Sequence, residues 1–143
     1  MAEVRKRVLI EHPAAKMFDL VDRVEDYPQF LPWCGSTELL KRNESITSAR
    51  LHVNYHGIKT HFSTENDKEI PRHMLIRLLD GPFRHLVGTW TFTALGETAC
   101  KIDFSLSWEF SNKLVEKAVG PVFGHIANPL VDSFIGRADQ LHL

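Results

Sequence analysis

The sequence predicts an α+β fold, a curved antiparallel sheet of about seven strands with one long C-terminal helix laid against its apolar face. Three observations predict it. Strict period-two alternation recurs through the middle of the chain, most cleanly in CKIDFSLSWEF, where Ile102, Phe104, Leu106, Trp108 and Phe110 share one face and Lys101, Asp103, Ser105, Ser107 and Glu109 the other. Turn signatures separate the alternating runs, as at His56–Gly57 and in the DGP of Asp80–Pro82. After Phe110 the spacing changes to three and four residues, with Val115, Val119, Val122 or Phe123, Ile126, Leu130, Phe134 and Ala138 in succession.

The elements follow in order. VRKRVLIE puts Val4, Val8 and Ile10 on one parity, with Lys6 the exception, and reads as a strand. Pro13 suits the first turn of a helix whose stripe is Met17, Leu20, Val21 and Val24. Pro28 disfavours helical geometry at Tyr27, so that helix is expected to end near Asp26. STELLKRN and SITSARLHVNY read as strands, the second with Ala49, Leu51, Val53 and Tyr55 together. IKTHFSTEN returns with Ile58, Thr60 and Phe62 on one face. HMLIRLL offers Met74, Ile76 and Leu78, and FRHLVGTWTF offers Leu86, Gly88, Trp90 and Phe92. Ser111 or Asn112 caps the last helix, and Pro121 and Pro129 each remove an internal bond, which predicts a kinked helix or two abutting pieces.

Totals limit the function. The 143 residues suit a single domain, residues 1–143, and the 43% hydrophobic fraction supports a packed core. A formal net charge of -1 gives no overall case for nucleic acid, and none for DNA. No run approaches the roughly 18 apolar residues that span a bilayer, and no secretory signal layout opens the chain. Cys34 and Cys100 lie far apart and read as reduced thiols, which points to a cytoplasmic protein.

Catalytic and metal motifs do not emerge. No GxGxxG, GxxxxGK[ST], HExxH or GxSxG is present. His56 and His61 flank a turn without a third ligand, so no metal is expected. Asp103 and Glu109, like His52 and His85, fall on the outer parity, Glu25–Asp26 reads as a solvated helix end, and Cys34 reads as packing. The protein is therefore expected not to be an enzyme, with no catalytic residue and no catalytic cofactor.

Geometry favours a cavity. A helix is about 10–12 Å wide, whereas seven strands at about 4.8 Å each make a far wider layer. One helix cannot cover that layer unless the sheet curls, and either outcome leaves space beneath. The inward candidates are Phe62, Ile76, Leu78, Leu86, Trp90, Phe92, Phe104, Leu106, Trp108, Phe123, Ile126, Leu130 and Phe134, and filling the core is the simple alternative for each of them. Gly88 within a strand marks a bulge or a close approach. The corner DYPQFLPWC concentrates Tyr27, Phe30, Leu31 and Trp33 between prolines at one end of the sheet, either as a gate to the cavity or as a plug.

Three stretches, YPQFLPWC, DGPFRHLVGTWTF and WEFSNKLVEKAVGPVF, resemble the coenzyme Q-binding, polyketide-cyclase-like branch of the START superfamily. The resemblance runs from about Val4 to Ala138. It implies a helix-grip fold, with the sheet wrapped around the C-terminal helix. It also implies an apolar cavity for ubiquinone or a similar prenylated quinone, held by a lipid chaperone that supports cellular respiration. The family's aromatic-proline motif falls on Tyr27, Pro28, Phe30, Leu31, Pro32 and Trp33, and its second motif on Asp80, Gly81, Pro82, Phe83, Leu86, Gly88 and Trp90. The branch also contains bacterial toxins that bind the large ribosomal subunit and block subunit association. Their pattern has a glycine where Trp33 stands here.

The expected ligand site, cavity and gate together, is Tyr27, Phe30, Leu31, Trp33, Phe62, Ile76, Leu78, Phe83, Leu86, Trp90, Phe104, Leu106, Phe123, Ile126, Leu130 and Phe134. The indole N–H of Trp33 or Trp90 and the Tyr27 hydroxyl are candidate donors to a quinone carbonyl. Candidate partners are a hydrophobic small molecule, a transient contact at the inner face of the membrane, and the large ribosomal subunit. Ribosome contact would draw on Arg5, Lys6, Arg7, Arg72, Arg77 and Arg84. A polyketide cyclase-like enzyme is the remaining alternative and would require a polar residue facing the cavity.

Overall fold

A computed structural model describes residues 1–143. The element order is β1 (Ala2–Ile10), α1 (Ala14–Asp22), a 3-10 helix (Val24–Gln29), β2 (Cys34–Arg42), β3 (Ile46–Tyr55), β4 (Ile58–Glu69), β5 (His73–Asp80), β6 (Phe83–Ala94), β7 (Cys100–Phe110), α2 (Lys113–Ala127) and α3 (Leu130–Gln140). Seven strands form one antiparallel sheet in the order β1-β7-β6-β5-β4-β3-β2. The first strand therefore closes against the last, and the segment after it crosses to the far edge. Register shifts in the β2–β3, β4–β5 and β6–β7 pairings bend the sheet.

The strand parities are those of the sequence. On β7 every residue from Cys100 by twos to Phe110 is buried, and the alternate residues are half-exposed. The outer face carries ion pairs instead, with Arg77 on Glu65 and Asp67, Arg84 on Glu109, and Arg7 on Asp103. Lys6, the odd residue of β1, pairs with Phe104 in register and reaches Asp132 of α3 at 3.5 Å. The cation on the inward parity thus tethers the edge strand to the helix.

Two expectations change. The first helix ends at Asp22, not near Asp26, and Pro28 lies within a separate 3-10 turn. Proline is tolerated there because the turn needs few donors: Asp26 N–H bonds Arg23 and both Phe30 and Leu31 N–H bond the Tyr27 carbonyl. Nor is the C-terminal helix the sheet's lone cover. Met17 and Phe18 of α1 are 0% and 1% exposed, with the Phe18 ring 5.8 Å from Phe92 across the interface. The apolar face is shared by α1, the 3-10 turn, α2 and α3, so less of it stays open than one helix would leave.

The terminal helix is in two pieces, broken at Asn128–Pro129, and Pro121 is absorbed within α2. Asn112 caps α2 by accepting from Val115 N–H at 2.9 Å. The end of α3 is held by His12, whose ring nitrogens lie 2.8 Å from the Leu143 carbonyl and 2.7 Å from Asp139. The Leu143 carbonyl, opposed by burial and helped by Asp139, raises the His12 pKa above its ordinary value. A raised folded-state pKa stabilises the fold below the unfolded value of about 6.5, and this is lost as pH climbs through the folded value. His12→Gln is thus expected to flatten the decline in thermal midpoint between acidic and mildly alkaline buffer. An unchanged decline in the variant would remove His12 from its cause.

Two glycines meet requirements of the packing. Gly81 sits at φ +141°, and a Cβ there would lie 2.6 Å from Phe62 Cβ. Gly81→Ala is expected to cost about 2–4 kcal/mol, from backbone strain and overlap together. Chemical denaturation would read this as a lowered midpoint at unchanged slope. Gly88 is a close-approach point, but what approaches is Leu106 Cδ1 at 2.9 Å and Ile76 Cδ1 at 3.2 Å from the position a Cβ would take.

Candidate ligand cavity

Between sheet and helices an apolar cavity remains. Its interior measures ≈ 80 Å³, within ≈ 690 Å³ of space that includes the mouth open to solvent. Its wall comprises Val21, Val24, Tyr27, Trp33, Leu51, Phe62, Thr64, Asn66, Ile76, Leu86, Trp90, Phe104, Leu106, Phe123, Ile126, Ala127, Leu130 and Phe134, of which 16 of 18 are hydrophobic. Of the expected site, Tyr27, Trp33, Phe62, Ile76, Leu86, Trp90, Phe104, Leu106, Phe123, Ile126, Leu130 and Phe134 meet there.

Four expected residues do not reach the wall. Phe83 is 6% exposed and packs against Phe110 at 5.1 Å and Phe123 at 4.9 Å, so α2 fills the space in front of it. Leu31 is 1% exposed and belongs to the packed corner. Phe30 lies 5.3 Å from Phe134 with the Arg137 guanidinium 5.4 Å over its ring, and is outside the wall. Leu78 is half-buried and outside the wall.

The aromatic-proline corner is a plug in this conformation. Tyr27 is buried, its hydroxyl donates to the Val21 carbonyl, and its ring meets Phe134 edge-on at 5.4 Å. Burial drives the Tyr27 pKa far up, with Asp22 adding to it, and the hydroxyl is not free for a ligand. Cys34 ends the corner as packing: it is 5% exposed, and burial pushes its thiol up to about 11. Both cysteines are free thiols.

The polar part of the wall lies on β4. Thr64 and Asn66 continue the inward parity of Phe62, opposite Ala49 and Thr47 on β3 and Leu78 and Ile76 on β5. Asn66 is 7% exposed, and its Oδ1 is buried without a partner. Lys68 follows on the same face with its side chain 2% exposed and its Nζ 3.2 Å from Asp22. Asp22 also accepts from the Thr47 hydroxyl at 2.6 Å. Arg42 holds the Asp22 carbonyl and a bidentate pair with Glu25 at 2.7 Å, and its hydrogen bond keeps the Glu25 carboxyl down at about 2. This network pins α1 and the 3-10 turn to β2, β3 and β4.

Val21, Val24, Leu51, Thr64, Asn66 and Ala127 were not among the expected site residues. Leu51 was on the inward parity of its strand and Val21 and Val24 on the apolar stripe of α1, so the signal for these three was present. Thr64 and Asn66 were reachable only by extending the parity of Phe62 through polar positions.

No group of three or more His, Cys, Asp or Glu side chains is placed to hold a metal. His52 and His85 sit on the outer face, His52 on Glu38 at 2.7 Å and 5.7 Å from His61.

C-terminal helices, here the two abutting pieces α2 and α3, gripped by a curved seven-stranded antiparallel sheet with an apolar pocket between, define the helix-grip class. Two solved structures share the fold: the Zhui aromatase/cyclase from Streptomyces sp. R1128 (TM-score 0.82, 17% identity, 97% of this chain and 94% of that one) and a START superfamily protein from Mycobacterium smegmatis (TM-score 0.76, 24% identity, 97% and 98%). The family described as polyketide cyclase / dehydrase and lipid transport matches residues 10–135, and the chain belongs to that family. Among its relatives, the ribosome association toxin RatA of Pseudomonas aeruginosa is 40% identical over 139 residues, 97% of this chain and 96% of that protein. The mitochondrial coenzyme Q-binding protein COQ10 homolog B of Xenopus laevis is 27% identical over 132 residues, 89% of this chain and 54% of that protein.

Proposed function

We propose that this protein is a non-catalytic carrier of a prenylated quinone, ubiquinone or a close relative, in support of respiration. The observation that carries this reading is the apolar cavity left between sheet and helices. Each Å² of isoprenoid surface withdrawn from water contributes about 25 cal/mol. An interior of ≈ 80 Å³ has room for several waters and is about half the ~150 Å³ that takes up a benzene ring, so the quinone ring enters as the wall gives way and a long tail leaves through the mouth. The relative named as coenzyme Q-binding and the lipid-transport description of the family point the same way. Thr64 and Asn66, the polar non-aromatic residues of the wall, carry no titrating group, which supports binding over acid/base chemistry. No helix is long and apolar enough to cross a membrane, and the carrier is taken to work from the cytoplasm at the inner membrane face.

Trp33 and Trp90 line the cavity and give the test. Titration with a short-chain ubiquinone is expected to quench their fluorescence saturably at one ligand per chain. Quenching that rises linearly without saturation, as for collision in solution, would contradict the reading.

A second reading is favoured by the 40% identity to RatA across 97% of the chain: association with the large ribosomal subunit. Of the basic residues available, Arg5 pairs with Glu3, Lys6 with Asp132, Arg7 with Asp103, Arg77 with Glu65 and Arg84 with Glu109, which leaves Arg72 outside these pairs. Exposed pairs of this kind are weak and exchange readily for phosphate. Co-sedimentation with large subunits at moderate salt supports this role, and its absence removes it. The two roles are compatible in one chain.

A further inference from the structure

We propose that Asn66 is the group by which the cavity recognises its ligand, and that it selects a neutral, oxygen-bearing head over an anionic one. The inference rests on the carrier reading and deepens it.

Asn66 is 7% exposed, and its Oδ1 is buried with no hydrogen-bond partner. A buried acceptor left unpaired in an apolar wall is destabilising until a donor reaches it. Its neighbours are engaged elsewhere. Thr47, directly across on β3, gives its hydroxyl to Asp22 at 2.6 Å. Lys68, two residues along the same strand face, is paired with Asp22 at 3.2 Å. Ile76, across on β5, has nothing polar to offer. Asp22 thus draws off two of the donors nearest Asn66, and Oδ1 is left unclaimed within the cavity wall.

A carboxamide offers two donors and one acceptor. The unpartnered Oδ1 accepts from a quinol hydroxyl and the Nδ2–H donates to a quinone carbonyl, so one residue serves both redox forms of the ring. A carboxylate or phosphate head would need a cation. Lys68, the cation nearest along the strand, is already neutralised by Asp22. The ring then lies against β4, and the apolar remainder runs along Trp90, Phe104 and Phe134.

The test compares the full chain with Asn66→Leu, an apolar replacement of similar size, and with Asn66→Ala. Three probes are used: a benzoquinone with a ten-carbon tail, decylbenzene, and dodecanoate. Quinone binding is read by tryptophan quenching, and the other two by displacement of the quinone. The proposal expects the wild type to bind the quinone and not dodecanoate. It expects both variants to bind the quinone roughly three- to tenfold more weakly, the worth of one neutral hydrogen bond, with decylbenzene bound as tightly as before or more so. The thermal midpoint of ligand-free Asn66→Leu should be unchanged or higher, because an unpaired amide is removed. Quinone affinity equal to wild type in both variants would overturn the role of Asn66 and leave the carrier reading standing. Parallel weakening of decylbenzene, or a lowered midpoint in both variants, would assign Asn66 to structure and overturn the proposal as well. A wild type that binds neither quinone nor decylbenzene overturns the carrier reading, and this inference with it.

Discussion

Phe134→Ala is expected to destabilise the protein by about 3–5 kcal/mol, the range for deleting a fully buried aromatic ring. The ring is 1% exposed and stands where three others converge, edge-on to Tyr27 at 5.4 Å, Phe30 at 5.3 Å and Trp90 at 5.5 Å. It joins the plug at the corner to the cavity wall and to α3. Removing it deletes those contacts and opens the cavity toward the corner, and the surrounding rings are too constrained by Val21 and Arg137 to collapse inward. At roughly 2–4 °C per kcal/mol for a domain near this size, the thermal midpoint should fall by about 10 °C. A loss below about 1 kcal/mol would mean that the corner repacks freely and is no plug.

Lys68→Met should cost about 3 kcal/mol by a different route. The substitution keeps the length and apolar stem of the side chain and removes its charge. Asp22, 15% exposed at its side chain, then keeps the Thr47 hydroxyl and the Arg42 guanidinium 3.6 Å away but loses its closest cation. A buried carboxylate deprived of its partner is the costly half of a broken pair. Adding Asp22→Asn to Lys68→Met should therefore recover part of the loss, and a double-mutant cycle by denaturant unfolding measures that coupling. Additive losses would show that Lys68 and Asp22 do not act as a pair.

The strands were legible because a sheet with one covered face writes its burial into the sequence at period two. From Cys100 to Phe110 the alternation is unbroken, and from Leu86 to Phe92 only Gly88 interrupts it, to admit Ile76 and Leu106. The cavity wall was legible to the extent that inward parity marks it. Parity cannot say where a helix fills the space, which is why Phe83, met by Phe123 of α2, faces inward without lining the cavity. The end of α1 was hidden because a 3-10 turn accepts the proline that an α-helix rejects. The polar face of β4 was hidden for a longer-range reason. Thr64, Asn66 and Lys68 look like the wet side of a strand until Asp22, 46 residues before Lys68, is brought against Lys68. One helix's width alone would leave a wide cavity, and Val21 of α1 with Val24 and Tyr27 of the 3-10 turn wall it in to ≈ 80 Å³.

That cavity is the centre of the account, and its occupant can be weighed directly. Native mass spectrometry of the intact protein, purified without detergent from a quinone-producing host, should show a population heavier by the mass of one prenylated quinone. The same preparation from a host unable to prenylate the quinone ring should lack it. Identical ligand-free masses from both hosts would contradict a quinone carrier.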